Sequence, residues 1–363
     1  MSDATATTNG QELHTEDEAL SVLLDGDIDK VMSGLDKIVE AAPSYEKLFM
    51  RWQRQHWSTE DFSFEVDAKQ WADPKMFTDD ERRFLEFGFS EFFLGEERVT
   101  LELLPFALAA PTHEAKVFLT TQISDEAKHT VFWNGFYREV FGIEAGSLGE
   151  MIDKQRYVVN KDWETLFNGI LHECAEDLRK DPSDFPKLVR GVTVYMIVIE
   201  GMLALSAARF MIKSMRERGW FPGFTAGFTA VARDESRHIG FGVLALRRRV
   251  HESPELARAI ALKILDLAEP AVMTVVDPET LMTIAPPDEM APELRQDPAE
   301  MRAFALESLA KRLRAIGLSD AAIADIESHY SAIYERLWDR YEEIHGVEHP
   351  VRWYQRQAAG AAS

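Results

Sequence analysis

Two short units, Glu126-Ala127-Lys128-His129 and Glu235-Ser236-Arg237-His238, stand 109 residues apart in a chain of 363. Each lies in a long run whose apolar residues recur at three and four, the spacing of an amphipathic helix. Residues three apart on a helix share a face, so each unit aims one carboxylate and one imidazole at a single point. One helix before each unit, a glutamate is embedded among apolar residues: Glu96 in EFFLGEERVTLELLPF and Glu200 in VYMIVIEGMLALSAA. A buried carboxylate without a partner is expensive. The order Glu, Glu-x-x-His, Glu, Glu-x-x-His is what a dinuclear site inside a helix bundle requires. Glutamate offers a hard oxygen ligand and neutral imidazole completes the field of a divalent transition metal. Four carboxylates also nearly balance the four positive charges of two such ions in a low-dielectric interior.

A single E-x-x-H unit is common on solvated helix faces and says little; the pairing of two, each with its preceding glutamate, carries the argument. Neither unit has the H-E-x-x-H order of a zinc protease, and a structural zinc site prefers closed Cys and His coordination. Glu97 competes with Glu96, because adjacent residues lie about 100° apart on a helix and cannot face the same metals equally. Asp125 and Asp234 each precede a motif glutamate. They are candidates to accept a hydrogen bond from a metal-bound histidine across the bundle, or are surface aspartates. His172, in LHECAEDL, reads as a surface or packing histidine.

The rest of the chain fits a helical protein. Asp27 to Glu40 and Tyr45 to His56 are short amphipathic segments, and Trp57 to Trp71 is mixed in character, expected to wrap the core. Thr78 is a candidate cap for the helix that starts at Asp79. Residues 79–108, 113–139, 162–180, 185–217 and 225–250 read as long helices. Further helices are expected at 253–268, 299–315 and 319–344, with a proline-rich loop at 277–298. The expected organisation is an acidic, flexible tail over 1–20, one helical domain over 21–357 with its metal-binding core at about 79–250, and a frayed end at 358–363. Lys plus Arg number 40 against 62 Asp plus Glu, a net charge of −22, which argues against a broad nucleic-acid footprint or an anionic membrane surface. The one cysteine, Cys174, excludes an internal disulfide and fits a reducing, cytoplasmic setting. No uninterrupted apolar stretch of about 18 residues, as expected of a spanning helix, is present.

Residues 45–250 resemble the ferritin-like superfamily branch that contains the small subunit of class I ribonucleotide reductase. They are more similar still to its relatives, the ligand-binding oxidases with a mixed manganese–iron site. The segments that carry the likeness are HWSTEDFSF, GEERVT with LELLPF, QISDEAKH, VYMIVIEGMLA and RDESRHIGFG. The resemblance implies an all-α, ferritin-like four-helix bundle with flanking helices, and metal ligands Glu96, Glu126, His129, Glu200, Glu235 and His238. Reductase small subunits carry a radical tyrosine four residues after the first motif histidine; here that residue is Trp133, after Phe132, and Tyr137 comes a turn later. Tyr354, in RWYQRQAAGAAS, is in no matching context for the reductases' relay tyrosine.

The oxidase branch has a valine three residues after the first metal glutamate and a tyrosine five residues before the third-helix glutamate. This chain has Val99 after Glu96, which favours Glu96 over Glu97, and Tyr195 before Glu200. The resemblance therefore implies an ether cross-link between the Tyr195 phenol oxygen and the Val99 β-carbon, formed during two-electron oxidation by dioxygen. Five residues span roughly 140° of an ideal helix, so Tyr195 needs either long reach or a local π-bulge to approach the centre. The resemblance also implies one manganese and one iron ion, a long-chain fatty acid or similar apolar ligand, and a homodimer; an electron donor would belong to the system. Phe92, Phe93, Leu94, Met196, Ile197, Met202 and Leu203 are candidates to line an apolar tunnel or simply to pack. The alternatives are a radical-generating reductase subunit, another di-iron oxygenase, or a non-enzymatic ferritin-like or lipid-carrying protein.

Overall fold

Among the described residues of the computed structural model (26–156, 159–275, 278 and 298–361), every regular element is a helix. In chain order these begin with α1 (Ile28–Ala41), α2 (Tyr45–Arg54), a 3-10 turn (Thr59–Asp61), α3 (Glu65–Ala72), α4 (Asp79–Glu102), α5 (Leu104–Ala109), α6 (His113–Glu139) and α7 (Leu148–Gln155). The next, α8, passes from Lys161–Glu164 through a π-helical stretch, Thr165–Leu171, into His172–Lys180. The long α9, Phe185–Arg218, is π-helical over Thr193–Ala204. Then come α10 (Pro222–Glu252), α11 (Glu255–Asp266), α12 (Ala268–Val275), α13 (Pro298–Ile316), α14 (Asp320–His345) and α15 (Pro350–Ala361).

The local chemistry accounts for most boundaries. Thr78 opens α4 with a capping box: its hydroxyl accepts from the Glu81 amide and the Glu81 carboxylate accepts from the Thr78 amide, satisfying two of the donors a helix start leaves open. The run expected over 79–108 divides after Glu102, where Pro105 begins a new helix; proline has no N–H for the preceding turn. Ser147 caps α7, a helix that the sequence reading left within a connection. The segment from Trp57 to Trp71 resolves into the 3-10 turn and most of α3. The expected tail over 1–20 and nearly all of the proline-rich loop over 277–298 lie outside the described residues.

Helices α4, α6, α9 and α10 form the ferritin-like bundle, with α1, α2 and α13 packed on its outside. Helix α9 is long and apolar enough to cross a membrane by length and composition, yet most of that apolar stretch is buried within the protein. A helix that is hydrophobic all round belongs in the interior of a bundle as readily as in lipid. Its neighbour α10 comes close because glycine faces it: a β-carbon on Gly242 would stand 2.6 Å from the Met196 β-carbon. One on Gly227 would stand 2.2 Å from the Phe132 ring of α6. Gly242→Ala should therefore push α9 off α10 and destabilise the fold by about 1–3 kcal/mol, the range for overpacking. The expected readout is a lower urea midpoint with an unchanged slope.

Candidate metal centre

The four bundle helices bring the six sequence-identified side chains to one buried place. Glu96 comes from α4, Glu126 and His129 from α6, Glu200 from α9, and Glu235 and His238 from α10. All six are buried. Ligand atoms of Glu96, Glu126, His129 and Glu235 lie within 4.8 Å of one another, and so do those of Glu126, Glu200, Glu235 and His238. Glu126 and Glu235 belong to both groups. Each gives one oxygen to each histidine: His129 Nδ1 lies 3.4 Å from Glu126 Oε2 and 3.3 Å from Glu235 Oε1. His238 Nδ1 lies 3.2 Å from Glu126 Oε1 and 3.2 Å from Glu235 Oε2. Two carboxylates shared between two imidazole-bearing positions, with Glu96 at one and Glu200 at the other, make the donor set of a dinuclear centre. Glu97 is half-buried beside Glu96 and outside both groups.

The far nitrogen of each imidazole is held from the opposite helix. His129 Nε2 is 3.3 Å from Asp234 Oδ2, and His238 Nε2 is 3.2 Å from Asp125 Oδ2. With Nε2–H donating to an aspartate, the Nδ1 lone pair is left for a metal, the usual arrangement for a ligating histidine. Two cations then tie the aspartates together. Lys128 Nζ is 2.9 Å from both Asp125 and Asp234, and Arg237 Nη2 is 2.8 Å from Asp125 and 2.7 Å from Asp234. Two tryptophans complete the surround: Trp57 Nε1–H donates to Asp234 at 2.8 Å and Trp52 Nε1–H donates to Asp125 at 3.0 Å.

Tyr195 reaches the centre. Its hydroxyl donates to Glu126 Oε1 at 2.8 Å, and the π-helical backbone of α9 is what brings it there. In that geometry the i→i+5 bond stacks residues five apart, placing Tyr195 over Glu200. Gln122, one turn before Glu126, donates to Glu200 Oε1 at 3.0 Å and to the Tyr195 oxygen at 3.3 Å. Val99 is buried on α4, one turn past Glu96. Trp133 is fully buried among Phe92, Phe224 and Phe228, while Tyr137 is bound to Ser90 at 2.8 Å. His172 pairs with Glu102 at 2.7 Å, apart from the metal groups.

The sequence reading missed Gln122, Lys128, Arg237, Trp52 and Trp57. A signal for two of them was present: the motifs are DEAKH and DESRH, so each carries a basic residue immediately before its histidine. An apolar crevice of about 30 Å³ has Phe106, Leu119, Val192, Met196 and Phe241 among its walls and none of the six metal-site side chains. Phe106 also meets the Tyr195 ring at 6.0 Å. Of the tunnel candidates only Met196 lines this space; Phe93, Leu94, Ile197, Met202 and Leu203 are buried in the bundle core.

The electrostatics are those of ligands competing for protons. Burial, with the charges of Glu126 and Glu235, pushes Glu96 up to about 8 despite the opposing pull of His129. Burial and Glu235 likewise hold Glu200 well above the usual carboxylate range, and its Oε2 has no hydrogen-bond partner. Burial works against charge on His129 and His238, but the surrounding carboxylates more than offset it and raise both well above an ordinary imidazole.

Residues 42–274 match the family described as ribonucleotide reductase, small chain. Among solved structures, the chain is similar to variants of an R2-like ligand-binding oxidase with an anaerobically reconstituted Mn/Fe cofactor. The valine-to-isoleucine variant shares 26% identity at a TM-score of 0.64, over 76% of this chain and 94% of that one. The tyrosine-to-phenylalanine variant also shares 26% identity, at a TM-score of 0.63 over the same shares of the two chains.

Two outcomes are expected. Glu200→Ala removes a carboxylate from one group only and should leave at most one tightly held metal per chain by elemental analysis. Because raised carboxyl and imidazole groups must release protons when a cation binds, affinity for Mn(II) should rise with pH between about 6 and 8. Calorimetry in two buffers of different ionisation enthalpy reads those protons directly.

Proposed function

Because the chain belongs to the ribonucleotide reductase small-chain family, we propose that its six clustered side chains hold a manganese–iron pair and that it is a dioxygen-activating, ligand-binding oxidase. In this reading Glu96 and His129 would hold one metal and Glu200 and His238 the other, with Glu126 and Glu235 common to both groups. The observation that carries the oxidase reading over a radical-generating reductase subunit is the Tyr195 hydroxyl on the shared Glu126. A tryptophan fills the position where the reductases keep their radical tyrosine, packed among phenylalanines. The similarity to the oxidase variants supports the same choice: the glycine and valine altered in two of them stand four residues apart, as do Gly95 and Val99 here.

Bound metals supply the electrons that activate dioxygen, which closed-shell side chains cannot. The chain's contribution is positional. Glu126 accepts the phenolic proton of Tyr195 along the existing hydrogen bond, and Gln122 steadies the phenol oxygen between Glu126 and Glu200. Val99 gives up the hydrogen of its β-carbon, and the Tyr195 oxygen closes on that carbon. The ether bond costs the protein two protons and two electrons, which dioxygen takes up. Tyr195 and Val99 are both buried, which keeps water from this step.

The walls of the crevice support an apolar ligand, with a long-chain fatty acid as the fitting class. About 30 Å³ is room for only about two water-sized spheres, so a long chain must part the packing around Met196 and Phe106 as it enters. The assembly proposed is a homodimer, supported by Leu101, Leu104 and Leu108, which are exposed in a row at the junction of α4 and α5.

Peptide mapping after anaerobic loading with Mn(II) and Fe(II), before and after oxygen, tests the chemistry. A Val99–Tyr195 peptide pair two hydrogens lighter than its parts is expected only after oxygen, and its absence with both metals bound rejects the cross-link. Tyr195→Phe should bind both metals and yield no such species. Scattering at working concentration should give twice the chain mass.

A further inference from the structure

One deeply buried charge lies outside everything the metal centre accounts for. Arg312 is on α13, a helix that follows the residues matching the reductase small-chain family and packs on the π-helical stretch of α9, on α10 and on α1. Arg312 is only 2% exposed. Long cationic side chains ordinarily carry their heads out to water. This one runs inward over Gly201, where a β-carbon would stand 3.3 Å from Arg312 Cδ and 3.4 Å from its Nε. Among the described residues no acceptor reaches the guanidinium, and its Nε is closed off without a partner. The one acid that acts on it, Asp36, is already held by Lys311 at 3.1 Å. Burial pulls Arg312 down to about 10, which leaves it charged at neutral pH. Ser308, one turn earlier on the same face of α13, is buried with it. A buried cation of this kind is costly unless an opposite charge comes to it.

We propose that Arg312 and Ser308 form a binding site for a small planar oxyanion, a carboxylate or bicarbonate, in the seam between α13 and α9. The guanidinium fork matches two oxygens of such an anion, and the serine hydroxyl supplies a further donor. The closeness of the seam around Arg312 restricts the site to small anions. Because Gly201 directly follows Glu200, the anion also offsets a fixed positive charge placed behind one of the metal-site carboxylates. The site does not depend on the oxidase reading, since every group in it belongs to α13 or to the backbone of α9.

The test follows thermal unfolding of the full, metal-loaded chain as sodium formate replaces sodium gluconate, a carboxylate too bulky for the seam, at fixed ionic strength. The midpoint should rise with formate and level off, as binding to the folded state alone requires. Arg312→Met keeps an apolar stem without the charge. It should unfold in gluconate no lower than the unaltered chain, because loss of an unpaired buried charge is a relief, and it should not respond to formate. Ser308→Ala should keep the gluconate midpoint and need several-fold more formate for half the rise. Arg312→Lys, which keeps the charge but loses the fork, should respond only weakly. No rise in the unaltered chain overturns the site. A rise shared by Arg312→Met does so too, since it places formate on the metals or the general surface. A chain that loses stability in gluconate when Arg312 becomes Met already satisfies that charge, which also overturns the proposal.

Discussion

Six buried acids, Glu96, Glu126, Glu200, Glu235, Asp125 and Asp234, are gathered where water cannot screen them, and the rest of the structure answers that concentration of negative charge. The answer comes in two layers. In the inner layer four glutamates converge on a place for two cations, and burial holds two of them, Glu96 and Glu200, above the usual carboxylate range. In the outer layer the two aspartates are matched by Lys128 and Arg237, each of which touches both. Alternating charge of this kind, closed on itself through paired hydrogen bonds, is the condition under which buried ions are tolerated. The square joins α6 to α10 and fixes the ring planes of both histidines, so ligand geometry is set before any metal arrives. That pre-arrangement is what a centre needs if its chemistry depends on where a substrate atom sits relative to its ligands.

Most of the inner layer was legible in the chain because it is written in local periodicity. Glutamate and histidine three apart, twice, with an embedded glutamate one helix earlier, can be read without knowing how the helices pack. The cross-bundle roles of Asp125 and Asp234 were also readable as candidates, since each precedes a motif glutamate. Tyr195 was a sharper case: its spacing from Glu200 is wrong for an α-helix, and the π-helical stretch Thr193–Ala204 is what reconciles the two. Gln122, Trp52 and Trp57 were not legible, because the partners that give them their roles lie 73 to 177 positions away in the chain, where no periodicity reaches. The break at Pro105 and the helix after Ser147 were signalled by residues whose meaning depends on the neighbours they meet. The apolar crevice was placed too broadly, since a stripe of large side chains looks alike whether it lines space or fills it.

The two metal positions are alike in their shared carboxylates and their crossed histidine–aspartate pairs, and unlike in everything else. Around Glu200 stand Gln122 and the Tyr195 phenol; around Glu96 stand Val99 on the same helix and Trp57 stacked 6.2 Å from His129. The ligand list by itself gives manganese no advantage over iron, since the intrinsic order of affinity runs the other way. Discrimination between the positions therefore has to come from these unequal surrounds. They leave a phenol on one side of the centre and a buried indole on the other.

The π-helical register of α9 has a consequence for how such a protein changes over generations. Each π-turn amounts to one residue more than an α-helix of the same rise would need. Loss of a single residue between Tyr195 and Glu200 would return the helix to ordinary winding and swing the phenol away from Glu126, while Glu200 could keep its place. Gain and loss of the Tyr195–Glu126 contact is thus a matter of chain length at one spot, separable from the metal ligands themselves. A lineage can acquire or discard the phenol by insertion or deletion and inherit the metal-binding bundle intact.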